Sequence, residues 1–358
     1  MIILLSLLEL NQLTNYPTNH SARGGLQLTA RLQTIDYRPQ TKNENETTGK
    51  SSVSLDTLLF HGIQYSYEEN YTKAEAVFRE AMKVEPQNPA PYLLLASLYG
   101  LYMSDFSTDT LKEKFYAYCD TTVLMSKCQI ESGDTSGLVR LWLAAGYGAR
   151  AFYKIWNKNI ISGTQDGLNS IDEFYKTIEI DSCIFDAYIG ISGYNYFKYR
   201  LISFLPWVED SSWEYEIKLA CEKGKYLQIT ALAGYALLLN EEKRYSEACK
   251  VATQLVNKFP DSRTFRWIRV KNYCGMKEWE LARDEYKKLL ALTMEGQPGN
   301  FYNIGCCRIG LANAYFMLGE TKECQTQCDS IFNLPDTPKT KKFKQEAKEI
   351  IKRIRVRL

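Results

Sequence analysis

Between Leu55 and Pro86 the chain spaces small, aromatic and helix-breaking residues as a pair of packed antiparallel helices would. Leu58, Gly62 and Tyr65 fall on one face of a first helical segment, and Ala74, Phe78 and Ala81 on one face of a second. Gly62 and Ala74 are small where two helices must approach closely, and Tyr65 and Phe78 are large enough to fill the space beside them. Pro86 closes the unit, since proline lacks an N–H and restricts the residue before it. A unit of about 34 residues with this pattern is one turn of a helical repeat. One such unit leaves an apolar face in water, so its presence requires neighbours to stack on it.

The neighbours are legible to different degrees. A second clear copy starts at Ile229, with Leu232, Ala236, Tyr245, Ala248 and Pro260 in matching places. A third starts near Arg263, with Tyr273, Trp279, Ala282 and Tyr286, and a fourth near Gly305, with Ala312, Tyr315, Gly319, Cys324 and Cys328. Between Pro89 and Gly224 three looser pairs are expected, giving about seven helix pairs in all on this repeat length. The spacing resembles the tetratricopeptide repeat superfamily across about residues 55–358. More narrowly, Gln165–Asp166–Gly167, Asp186–Ala187–Tyr188–Ile189–Gly190, Ser203–Phe204–Leu205–Pro206 and Glu222–Lys223–Gly224–Lys225–Tyr226 resemble poorly characterised bacterial repeat proteins, many of them exported. A fainter similarity, through Ser203–Pro206, reaches eukaryotic tetratricopeptide repeat protein 39 and its mitochondrial outer-membrane relatives. The resemblance implies an all-α, right-handed superhelical solenoid that binds protein or peptide in a concave groove, with no defined activity.

Three segments follow: residues 1–54, an apolar stretch with a polar linker; residues 55–337, the repeats; and residues 338–358, a basic amphipathic helix. Met1–Leu8 is apolar and too short to span a membrane. It suits either the core of a signal peptide or a docked N-terminal helix, which leaves the bacterial envelope and the cytoplasm both open, with the family resemblance leaning to the envelope. From Lys339 to Leu358 nine Lys or Arg stand against two Glu, a net +7 in a chain whose total is +2. Phe343, Ala347, Ile350, Ile354 and Leu358 share one face of that helix. A solenoid needs such a helix as its cap; the alternative is a surface for anionic lipid or an acidic partner.

Hydrophobic content of 45% suffices for a substantial core, and a net charge of +2 gives no reason to expect nucleic acid as a partner. The ten cysteines contain no C-x-x-C pair and are expected as small buried hydrophobes rather than a disulfide framework or metal site. Gly146-x-Gly148-x-x-Ala151 imitates a dinucleotide fingerprint but lies in a helical segment, where small residues permit close packing. His61 takes a position usual for leucine and is expected in the core. The acidic pairs Glu68–Glu69 and Glu241–Glu242 fall at turns, where solvated charge is the default. No cofactor motif or catalytic arrangement is present, so the chain is expected not to be an enzyme.

What remains is a binding surface. The first helix of each pair lines the concave side, and the repeat alignment puts Trp267, Lys271, Asn240, Asn313 and Phe316 there, with Tyr196, Asn195 and Arg200 from the looser fourth pair. Aromatics and amides suit a peptide or protein partner. Ile309 and Ala233 stand where chaperone-binding relatives place the first lysine of a carboxylate clamp, so that clamp is not expected. Ser203–Ser212, with Phe204, Leu205, Trp207 and Val208 about Pro206, is expected either to fold back as a plug or to present an apolar patch. A cell-envelope or peripheral membrane component is the alternative to a soluble adaptor.

Overall fold

The computed structural model describes residues 54–202 and 212–357. Among them are fifteen α-helices, one short 3-10 turn and no strand. Seven consecutive pairs are α1 (Leu55–Tyr67) with α2 (Tyr71–Val84), α3 (Ala90–Asp105) with α4 (Lys112–Glu131), α5 (Gly137–Trp156) with α6 (Ile160–Ile180), α7 (Tyr188–Ile202) with α8 (Ser212–Lys223), α9 (Gln228–Glu241) with α10 (Tyr245–Lys258), α11 (Arg263–Met276) with α12 (Trp279–Gly296), and α13 (Phe301–Leu318) with α14 (Thr321–Phe332). A last helix, α15 (Pro338–Arg357), packs on both α13 and α14. The chain is a helical-repeat solenoid. Met1–Leu8, the polar linker and Ser203–Ser211 lie outside the described residues.

Each of the six described turns inside a pair is built the same way. One residue enters the left-handed region: Glu69 (φ 59°), Ser107 (50°), Lys158 (64°), Lys243 (59°), Lys277 (62°) and Gly319 (78°). The next residue's N–H then reaches back to a carbonyl in the last helical turn, as from Asn70 to Tyr65 and from Glu320 to Tyr315, both at 2.9 Å. This satisfies carbonyls that the helix end would leave open. Within the first pair, a Cβ on Gly62 would lie 2.3 Å from the Phe78 ring, so only glycine lets the two helices meet there. Phe78, Ala74 and Ala81 are fully buried. Cys324, Cys328 and Ile331 take the equivalent places in α14 and are likewise buried.

The first helices of neighbouring pairs touch one another, α1 with α3, α3 with α5 and α9 with α11, which puts them on the inside of the curve. Of these, α3 and α9 are accordingly buried on nearly every side. From Ile229 to Asn240 only Leu232 escapes full burial. A helix apolar all round is a core helix. The second helices carry a single buried stripe and face outward, as α2 does with Ala74, Phe78 and Ala81.

The curve closes on itself. Tyr67, at the end of α1, shares a 2.5 Å hydrogen bond with the Thr230 hydroxyl and packs its ring against Phe265 (5.4 Å) and Phe259 (5.7 Å). Asp56 accepts from the Tyr226 hydroxyl at 2.7 Å and from Lys225 at 2.8 Å. Glu69 accepts from Ser262 and from the Thr264 N–H. Arg263 holds Asp105, whose carbonyl also accepts from Gln297 and Asn303. Asn300 and Lys339 donate to the carbonyls of Phe106 and Ser107. The turn edge of the first two pairs is therefore docked along the N-terminal ends of α9, α11, α13 and α15.

Several expectations change at this point. Glu69 is no solvated turn residue: its side chain is 3% exposed. His61 is exposed rather than packed in the core. Tyr65 is only half-buried, with Lys73 above its ring, and Tyr67 is the buried aromatic instead. The cysteines are all free; five are buried, three half-buried, and Cys128 and Cys183 exposed. Gly146 and Gly148 lie inside α5, against Thr122 and Val123 and against Ser170 respectively.

Candidate functional site

The seam covers the N-terminal ends of α9, α11 and α13, so the open inner surface on these helices lies beyond their first turns. Four of the residues singled out from the sequence stand there on α9 and α11 or α13 without being fully exposed: Asn240, Lys271, Asn313 and Phe316. Trp267 lies one turn before Lys271 on α11.

On α11 the Trp267 ring is half-buried and meets Tyr286 edge-on at 5.9 Å. The Tyr286 hydroxyl in turn lies 3.7 Å from the Cys274 thiol. Lys271, one turn further along the same helix, is half-buried. Desolvation pushes its ammonium down to about 7, with the carboxylate of Glu241 pulling the other way. Asn240 is buried and donates to the Asn272 side chain at 2.7 Å, while Asn272 donates to the Ile268 carbonyl at 2.9 Å. These two amides tie α9 to α11 directly beside Lys271.

On α13, Asn313 is half-buried and donates to the Ile309 carbonyl at 3.0 Å. Phe316 is 5% exposed, and the Arg353 guanidinium of α15 sits 4.3 Å from its ring centre. The last helix thus reaches the rim of this surface. At the other end, Tyr196 is 3% exposed and donates to Glu242 at 2.9 Å; the exposed Arg200 lies 3.4 Å from the same carboxylate. Asn195 turns away to α8, donating to both oxygens of Glu216 at 2.8 and 2.9 Å.

The sequence-derived set therefore divides. Tyr196, Asn240 and Phe316 are buried and hold the helices together; they offer little to a partner in this conformation. Trp267, Lys271 and Asn313 are partly open on α11 and α13, Arg200 is exposed, and Asn195 belongs to the α7–α8 contact. Sequence reasoning did not single out Asp186, which is 3% exposed and accepts the N–H groups of Lys225, Tyr226 and Leu227 at 2.9, 3.0 and 2.6 Å. It stands in one of the motifs noted above and its partners stand in another, so the signal was present as two unconnected segments.

No protein-family model matches the chain, and no curated protein does. Solved structures resemble it at the level of helical-repeat architecture. The C-terminal part of a tetratricopeptide repeat protein from Cytophaga hutchinsonii is 14% identical, with a TM-score of 0.42, covering 80% of this chain and 98% of that one. A tetratricopeptide repeat protein from Parabacteroides merdae is 13% identical, with a TM-score of 0.34, covering 83% and 98%. Human IFIT1, solved as a dimer with m7Gppp-AAAA, is 10% identical, with a TM-score of 0.39, covering 80% and 69%. Similarity this low says nothing of what this chain binds. Among the described residues no helix is long and apolar enough to cross a membrane.

Proposed function

We propose that the chain is a non-catalytic binding scaffold whose partner is a protein or peptide lying along α11, beyond its first turn, and the C-terminal half of α13. The observation that carries this reading is the half-buried set Trp267, Lys271 and Asn313 on two inner helices, α11 and α13. An apolar anchor beside a desolvated cation and an amide suits an extended segment, which brings both side chains and backbone groups. Arg200 and Arg353 flank the surface with positive charge. A partner would exclude water from Lys271 further, so a carboxylate near it would be bound more strongly than at the open surface.

Affinity capture from the source cells with mass spectrometry, after nuclease treatment, identifies the partner and separates protein from nucleic acid. The double variant Trp267→Ala, Lys271→Glu is expected to weaken that partner by at least about tenfold, the loss of one hot-spot contact, with the helical circular dichroism unchanged. A double variant that binds normally overturns the placement on these helices. A partner released by nuclease overturns the protein or peptide reading. A second reading, as a membrane-associated or envelope component, rests on the outer face of α15, where Lys341, Lys348, Lys352 and Arg355 are exposed and Val356 is 82% exposed.

A further inference from the structure

The docked edge of the solenoid is held by three charged side chains with little water about them. Glu69 Oε2 and Asp105 Oδ2 approach the same guanidinium nitrogen of Arg263, at 3.0 and 2.5 Å, and the three side chains are 3%, 3% and 10% exposed. Two carboxylates facing one cation leave a negative charge uncompensated when both are ionised, and burial makes that costly. Glu69 Oε1 is satisfied by Ser262 at 3.1 Å and by the Thr264 N–H at 2.9 Å. Its Oε2 is buried and accepts no hydrogen bond. The other groups facing the pair are accounted for. The Tyr71 hydroxyl of α2 donates to Asp105 at 2.8 Å, and Gln297 and Asn303, before and in α13, are neutral amides that donate to the Asp105 carbonyl. Lys339 of α15 bonds the neighbouring Ser107 carbonyl from an exposed position.

We propose that Glu69, Asp105 and Arg263 form a proton-operated latch: with a proton on the carboxylate pair the first two repeats stay clasped to α11 and α13, and its loss loosens the seam and opens the inner face. The idea rests on the scaffold reading for its biological use, but the latch itself is observable without a partner. Burial and the neighbouring Asp105 push the Glu69 carboxyl up to about 7, against the pull of Arg263. An acid raised in the closed state favours closure when protonated, so closure weakens as pH rises from its ordinary value of 4.5 through about 7.

Hydrogen exchange on the full chain, corrected for the intrinsic pH dependence of amide exchange, tests this at the first turns of α11 and α13. Going from about pH 6 to about pH 8.5 should lower protection there by about tenfold, which is what a carboxyl shifted by that amount gives through linkage. Protection at the α6 interior should not change. Glu69→Gln keeps the Oε1 acceptor and carries no charge, so it should remain closed and lose the pH dependence. Arg263→Met leaves two buried carboxylates unpaired and should open the seam at both pH values, with a larger radius of gyration by solution scattering. Wild-type protection that is independent of pH, or a Glu69→Gln chain that retains the tenfold change, overturns the latch. Both measurements are made without a partner, so normal binding by the Trp267/Lys271 variant would remove the scaffold reading alone.

Discussion

Asp186 offers the sharpest test of how the second half of the solenoid is joined to the first. It stands in the 3-10 turn Phe185–Ala187 before α7, and its carboxylate accepts three consecutive N–H groups at the start of α9. Those donors have no helical acceptor, because they lie before the first full turn. Fixing them sets the path of Tyr226, whose ring stacks on Phe60 at 5.6 Å and meets Trp142 at 5.2 Å. Asp186 thus reaches through one turn to the contact between α1, α5 and α9. Hydrogen bonds to a charged acceptor contribute about 1.5–3 kcal/mol each, and water regains part of that at the half-exposed Lys225. Asp186→Ala should therefore cost about 3–5 kcal/mol, near the upper end for single substitutions. Asp186→Asn can keep Oδ1 for Tyr226 and Leu227 but turns an NH2 toward the Lys225 N–H, so about 1–3 kcal/mol is expected from the bond lost and the donor left facing it. The assay is urea unfolding followed by circular dichroism and by tryptophan fluorescence, together with hydrogen exchange at residues 225–227. An alanine variant within about 0.5 kcal/mol of wild type, the range of an ordinary surface change, with unaltered exchange at those amides, refutes the reasoning.

Two further outcomes are expected. Removing residues 338–358 uncovers the surface of α13 and α14 that Phe343, Ala347, Ile350 and Ile354 bury, so the truncated chain should melt lower and aggregate; full stability with lost binding to anionic vesicles at low salt would favour the membrane reading of α15. Lys271 binds its proton less readily in the folded chain, at about 7 against 10.5, so the unfolded state holds the extra proton between those values and stability should rise with pH across that window. Lys271→Met should then be more stable than wild type near neutrality, with the gap closing toward alkaline pH in thermal melts; a gap independent of pH would show that the amine is not desolvated.

The repeat pattern was legible because its cause is local. Gly62 and Phe78 lie sixteen positions apart in the sequence and meet within one helix pair. Ala74, Phe78 and Ala81 follow helical spacing, and Cys324, Cys328 and Ile331 repeat it in α14. Helix type, the pairing of neighbours and the amphipathic last helix all follow from periodicities shorter than one repeat. The inner-face residues were less legible. Position within a repeat puts Asn240 and Phe316 on a first helix, but whether such a helix faces a groove or a core depends on what lies across from it. In this chain Asn240 finds Asn272, and Phe316 lies beneath Arg353.

By itself, the sequence determined that the chain is an all-α stack of helix pairs, since each pair's apolar stripes require another pair beside them. Only the tertiary structure decided that the stack closes on itself. The orientation between successive pairs is a small rotation that no single residue encodes, and its accumulation brings Tyr67 to Thr230 and Glu69 to Thr264 across 163 and 195 residues. Glu69, Asp105 and Arg263 look like ordinary turn or helix-end charges in the sequence. Their meaning comes from meeting in one buried seam, where the same charges that would be solvated apart must share a single guanidinium.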